Sequence, residues 1–247
     1  MGLPNSAPAP AMPASPVWFF DLDDTLHDAS YRIFKTINGS MNAWLMEHLQ
    51  LDEASASTLR VDYWKRYGAT LLGLVRHHAI DAQHFLDTTH AFAEAPDFAD
   101  LVRAEQGLAE LLRRLPGRKV LLTNAPRRYA NSVLNHIGLH RHFTRRYSIE
   151  HMRIHGRFRP KPSRSMLRAL LARERVRPAQ AILVEDSLEN LRSARAVGMG
   201  TVYVRGWQKR SIRFNRPSYV DLQVESVMQL NRRRRFLRRT GVPGSPF

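Results

Sequence analysis

The chain contains no cysteine, which excludes disulfides and thiolate-held metals and leaves oxygen or imidazole groups as its only metal ligands. It also lacks any run approaching the roughly 20 consecutive apolar residues that span a bilayer. Its N-terminus has no basic region leading into an apolar one, as a secretory signal has, so a cytoplasmic protein with no membrane partner is expected. Acidic side chains are scarce: 22 against 38 Lys and Arg, a formal net charge of +16. That balance raises nucleic acid as a partner before any motif is read. The excess is uneven, however. Residues 205–247 hold eleven basic side chains, including the run Arg232 to Arg235, against Asp221 and Glu225, a net +9. Such a run is most often a solvated face or tail, and Phe236 is the only aromatic among those last arginines, which gives single strands little to stack on.

What is present suits a globular chain with a sizeable core: 247 residues, 43% hydrophobic and 24% charged. Residues 1–16 carry Pro, Ala and Ser but no charge and no aromatic, so a disordered tail is expected there. The run Val17-Trp18-Phe19-Phe20 then reads as a buried parallel strand ending in acids, with Trp18 in the core. Lys119-Val120-Leu121-Leu122, Ala181-Ile182-Leu183-Val184, Thr201-Val202-Tyr203-Val204 and Tyr219-Val220-Asp221-Leu222 resemble it. Helical patterns cover 128–137, ending at Gly138, then 163–173, then 188–197, ending at Gly198. This alternation predicts an α/β fold, a doubly wound parallel sheet of the flavodoxin-like type with helices on both faces. From Asp28 to Leu115 the pattern changes to helix-spaced apolar residues (Ile33, Ile37, Met41, Trp44, Leu45, Leu49; then Leu71, Leu72, Leu74, Val75) with no strand. The expected organisation is a tail over 1–16, a core over 17–27 and 116–230, an inserted all-helical domain over 28–115, and a basic tail over 231–247.

Four segments carry chemistry. Asp21-Leu22-Asp23-Asp24-Thr25-Leu26 puts two carboxylates at i and i+2 where a buried strand runs out. Unpaired carboxylates are costly there, and a hard cation such as Mg²⁺ suits them. An Asp-rich turn explains the segment equally well if it is taken alone. Leu122-Thr123-Asn124-Ala125 ends the second strand with a hydroxyl and an amide, donors suited to phosphoryl oxygens. Arg159-Pro160-Lys161-Pro162 fixes a lysine between two prolines, and Val184-Glu185-Asp186-Ser187 ends another strand with two more acids. A parallel sheet brings all four to one edge.

In this order the four motifs resemble the haloacid dehalogenase superfamily, subfamily IA, whose helical cap takes the position of the insert. Asp21 to Leu26, Leu122 to Ala125 and Glu185 to Asn190 are most similar to pyrimidine 5'-nucleotidases. The resemblance implies a Mg²⁺-dependent phosphomonoesterase in which Asp21 attacks phosphorus. Asp23 protonates the leaving alcohol and then activates water, while Thr123, Asn124 and Lys161 bind the transferring oxygens. On the same resemblance, Asp21, the backbone carbonyl of Asp23 and Asp186 would hold the metal, with Glu185 contributing directly or through water because Asn190 stands where relatives often have a further Asp. Asp23 favours phosphate chemistry, since dehalogenating relatives do without that acid. Nucleoside 5'-monophosphates are the implied substrates, with sugar phosphates or phosphoglycolate as alternatives, and a nucleic-acid-binding protein using the basic C-terminus as a reading of another class. His27 either touches a leaving group or is a linker histidine. His77 and His78 read as cap packing, Arg127 and Arg128 as a solvated helix start, and Ser187 as a helix cap.

Overall fold

A computed structural model of the chain describes residues 15–207 and 216–232. The expected disordered tail lies outside these residues apart from Ser15 and Pro16, as does the basic tail beyond Arg232. The first strand, β1 (Val17–Phe20), is buried on both faces, as an unbroken apolar run should be in a parallel sheet. It is joined by β2 (Arg118–Leu122) and β3 (Arg145–Tyr147), then, after a small antiparallel pair β4 (Arg153–Ile154) and β5 (Arg157–Phe158), by β6 (Ala181–Glu185), β7 (Gly200–Val204) and β8 (Leu222–Val224). The six sheet strands are all parallel and lie in the order β3-β2-β1-β6-β7-β8.

The expected doubly wound parallel sheet is present, and β3 adds a sixth edge strand to the five expected, extending the flavodoxin-like order to 3-2-1-4-5-6, the dinucleotide-fold order. Only Tyr147 of β3 is buried, with Arg145 and Arg146 exposed, so no apolar run announces it. The last strand starts at Leu222 rather than Tyr219, because residues 217–220 form a turn closed by Val220 N–H to Pro217 O at 3.0 Å. Asp221 then spends its carboxylate on Thr201 N–H at 2.9 Å. The chain builds outward from β1 to β3 and returns beside β1 as β6, which puts the topological switch point, where ligands bind in such sheets, between β1 and β6.

The insert forms α1 (Ile33–Leu49), α2 (Glu53–Tyr67), α3 (Thr70–His77) and α4 (Ala82–Thr89), followed by 3-10 turns over Ala91–Glu94 and Pro96–Leu101. Trp44, Leu45, Leu71, Leu74, Phe85 and Leu86 form its apolar cluster, joined by Ile149 from the α/β part of the chain. The next helix, α5 (Leu108–Arg114), was expected within the insert, but Leu108, Leu111 and Leu112 pack in the same cluster as Trp18 and Phe20 on one sheet face. That face is completed by α6 (Arg127–His136) through Tyr129, Val133 and Leu134. Val17, Phe19, Val120 and Leu183 point the other way, onto α7 (Arg164–Arg173) and α8 (Leu188–Ala196). Each large side chain buried in these layers contributes about 1.5–3 kcal/mol. Among the described residues no helix is long and apolar enough to cross a membrane.

Candidate active site

Asp21 continues the ladder past β1, donating its N–H to Val184 O at 3.0 Å. The chain then curls, with the N–H groups of Thr25 and Leu26 returning to Leu22 O at 3.3 and 2.8 Å, which sets three acids around one turn. Asp24 has φ +56°, a left-handed conformation that Asp tolerates better than most residues. Its carboxylate accepts Ser30 N–H at 2.8 Å and the Ser30 hydroxyl, closing the loop into the insert. The structural use of an Asp-rich turn therefore belongs to Asp24. Asp21 differs: Oδ1 accepts from Lys161 Nζ at 2.5 Å and Oδ2 from the Thr25 hydroxyl at 3.3 Å.

Lys161 is 2% exposed, and its Nζ also meets Glu185 Oε2 at 2.7 Å. Its loop is held by Asn124, whose Nδ2 donates to Lys161 O at 2.9 Å and whose Oδ1 accepts Lys161 N–H at 3.0 Å. The side-chain amide expected on transferring oxygens is thus committed at both ends to the lysine backbone. Thr123 is anchored by its N–H to Tyr147 O at 2.9 Å, and its Oγ1 accepts Ala125 N–H at 3.0 Å, which occupies one lone pair and leaves the O–H available to donate. Ser187 precedes α8 but makes no side-chain cap; its N–H instead donates to Glu185 Oε1 at 3.1 Å.

Burial would push the Lys161 ammonium down, but the Asp21 and Glu185 carboxylates outweigh it and hold its pKa above the ordinary value. Burial, then the charge of Glu185, pushes the Asp21 carboxyl up to about 8 against the opposing pull of Lys161. Burial, then Glu185 and Asp21, pushes Asp186 up to about 10. Asp21, Glu185 and Asp186 can each offer an oxygen within 4.8 Å of the others. One lysine does not neutralise three carboxyls, and an all-oxygen donor set of this size suits Mg²⁺, so the residues present fit that ion.

Asp23 has different partners. Its Oδ1 accepts from the Tyr129 hydroxyl at 2.6 Å and pairs with His27 Nε2 at 2.8 Å. Burial raises the Asp23 carboxyl, but the hydrogen bonds from His27 and Tyr129 outweigh it and hold it below the usual range. His27 is 0% exposed and directs its Nε2 at Asp23, a contact that neither the leaving-group nor the linker reading of this histidine anticipated. Tyr129 escaped the sequence reading. The available signal was a tyrosine on the buried stripe of a helix, where a phenol needs a polar partner.

The insert approaches this edge at the α2–α3 turn. Gly68 there has φ +81°, and a Cβ would lie 3.5 Å from Pro162 Cδ and 3.9 Å from Lys161 O. His77 and His78 pack on the insert surface, paired with the Tyr67 and Tyr63 hydroxyls at 2.6 and 2.8 Å. Arg127 and Arg128 are an exposed helix start, with Arg128 3.6 Å from Glu94.

Carboxylates, a lysine and a hydroxyl at the switch point of a doubly wound sheet, beneath a helical insert, mark a capped α/β hydrolase. Residues 17–198 match the haloacid dehalogenase-like hydrolase family, and the chain belongs to it. Phosphate metabolism protein 8 of Saccharomyces cerevisiae is 26% identical over 199 residues, 77% of this chain, which spans only 61% of that relative's length. A HAD phosphatase from Thermococcus onnurineus shares the fold with a TM-score of 0.59 at 16% identity, over 88% of this chain and 96% of its own. YfnB from Bacillus subtilis, a HAD hydrolase bound to magnesium, does so at 0.55 and 14% identity, over 89% and 98%.

Proposed function

We propose that the chain is a Mg²⁺-dependent phosphomonoesterase working through an aspartyl-phosphate on Asp21. The observation that carries this reading is two carboxylates, two residues apart, in opposed surroundings: Asp21 against Lys161 at 2.5 Å, and Asp23 against Tyr129 and His27 at 2.6 and 2.8 Å. Two-step phosphoryl transfer needs such a nucleophile and such a proton carrier.

Asp21 attacks phosphorus, the bond to the leaving oxygen breaks, and that oxygen keeps the electron pair and takes a proton from Asp23. A dianionic ester beside Asp23 raises the proton affinity of its carboxyl, so the proton is in place when substrate is bound. Water then attacks the phosphorus of the aspartyl-phosphate while Asp23 takes a proton from it, and the bond to Asp21 breaks to release phosphate. The Thr123 hydroxyl and the Lys161 ammonium bind the transferring oxygens, and Asn124 keeps Lys161 in place. Asp21, Asp186 and the main-chain carbonyl of Asp23, with Glu185 directly or through water, would hold Mg²⁺, whose charge offsets repulsion between carboxylate and phosphate. Positioning and electrostatics are most of what this chemistry requires.

The helical insert acts as the cap, reaching the site through the Gly68 turn. The likeness of Asp21 to Leu26, Leu122 to Ala125 and Glu185 to Asn190 to pyrimidine 5'-nucleotidases supports nucleoside 5'-monophosphates as substrates, uridine and cytidine esters first. The test is phosphate release from those two, a sugar phosphate and phosphoglycolate, side by side, with Mg²⁺ and with chelator. Mg²⁺-dependent release, fastest from the nucleotides, is expected. Preference for another ester replaces the substrate, and no release from any of them removes the phosphatase reading.

A further inference from the structure

We propose that His27 and Tyr129 are positioning residues that together fix which oxygen of Asp23 carries the proton, both donating to Oδ1 so that Oδ2 alone serves the leaving group. This deepens the phosphomonoesterase reading and rests on it. The two bonds, 2.6 Å from the Tyr129 hydroxyl and 2.8 Å from His27 Nε2, end on the same oxygen, and the two donors stand 3.4 Å apart around it. His27 Nδ1 is buried without a partner, which assigns the ring proton to Nε2, the nitrogen that faces Asp23. A carboxyl in water protonates on either oxygen. With one N–H and one O–H aimed at Oδ1, a proton there would face two others, and Oδ2 is left as the site.

Both donors are 0% exposed, whereas the Asp23 side chain keeps 19% of its surface exposed. The clamp has little freedom. His27 is bridged to Asp23 through the backbone. The Tyr129 ring packs against His90, Phe92 and Phe98, on the return path from the insert, with centroids 5.7, 6.1 and 6.3 Å away.

The leaving group provides the test. An alkoxide needs a proton to depart and p-nitrophenolate does not, so the ratio of kcat/KM for p-nitrophenyl phosphate to that for uridine 5'-monophosphate reports proton delivery during phosphorylation of Asp21. Tyr129→Phe keeps the ring packing and removes one donor, and should raise that ratio about tenfold. His27→Leu should raise it similarly, while His27→Gln, which can return an N–H near the Nε2 position, should restore much of the loss. In ¹⁵N-histidine-labelled protein, the Nε2–H resonance of His27 should shift in Tyr129→Phe, as it does when a shared acceptor loses a competitor. An unchanged ratio in Tyr129→Phe and His27→Leu, with both esters slowed alike, overturns the proposal. Asp23→Asn separates the two levels: if it leaves the ratio unchanged, Asp23 is not the proton carrier, and if wild-type protein cleaves neither ester, the phosphomonoesterase reading falls with it.

Discussion

Asp21, Asp23 and Asp24 lie within four residues and meet three sets of partners: Lys161, then His27 with Tyr129, then Ser30. On the proposed mechanism, environment rather than residue type divides nucleophile, proton carrier and loop closure among them. His90 shows the same principle acting on stability. Burial pushes its imidazole down to about 4, so the unfolded chain binds the proton more tightly than the folded one. Its contribution is full above pH 6.5, declines as pH falls from 6.5 through 4, and amounts to about 3 kcal/mol. His90→Gln should lose that part of the slope in Tm against pH, and a slope identical to wild type would contradict the assignment. The acids were legible in sequence because three further polar segments end at the same sheet edge as Asp21 and Asp23, which an Asp-rich turn alone does not explain. Tyr129 was not, because its partner lies 106 residues away in sequence and a tyrosine on an apolar stripe looks like core. His27 was visible as a neighbour of the first motif, but which way it faced was not.

At the scale of elements, strands buried on both faces announced themselves as apolar runs, and β1, β2, β6 and β7 fall within a residue of where those runs predict. The edge strand β3 left no such trace, nor did β4 and β5, which are two residues each. Helix α5 reads the same from sequence whether it belongs to the insert or to the sheet; only its packing on Trp18 and Phe20 assigns it. Within the insert, α2 and α3 touch at Gly73, where a Cβ would lie 2.2 Å from Tyr63 Cγ and 2.7 Å from Tyr63 Cβ. Because the obstacle includes the root of the tyrosine, a rotamer change does not relieve it. Gly73→Ala should therefore lower stability by about 1–3 kcal/mol, read as a lower urea midpoint. A midpoint equal to wild type would mean that the helices do not pack this closely.

For the molecule as a whole, the scarcity of acid first pointed toward nucleic acid, yet the acids present include those gathered at one sheet edge. Asp21 and Lys161, 140 residues apart in sequence, meet at 2.5 Å because parallel strands bring their carboxyl ends to the same side. The order of the four motifs made this convergence legible before the coordinates, but the sixth strand and the partners of Asp23 depend on long-range packing that no local pattern records. The most direct measurement is acid quenching during turnover of a hydrolysed ester, followed by peptide mass spectrometry. One phosphoryl group on Asp21 is expected in wild type, and none in Asp21→Asn, which should retain its fold and release no phosphate. Turnover with no phosphoryl group on Asp21, or phosphate release by the Asp21→Asn protein, would contradict the assignment of Asp21 as nucleophile.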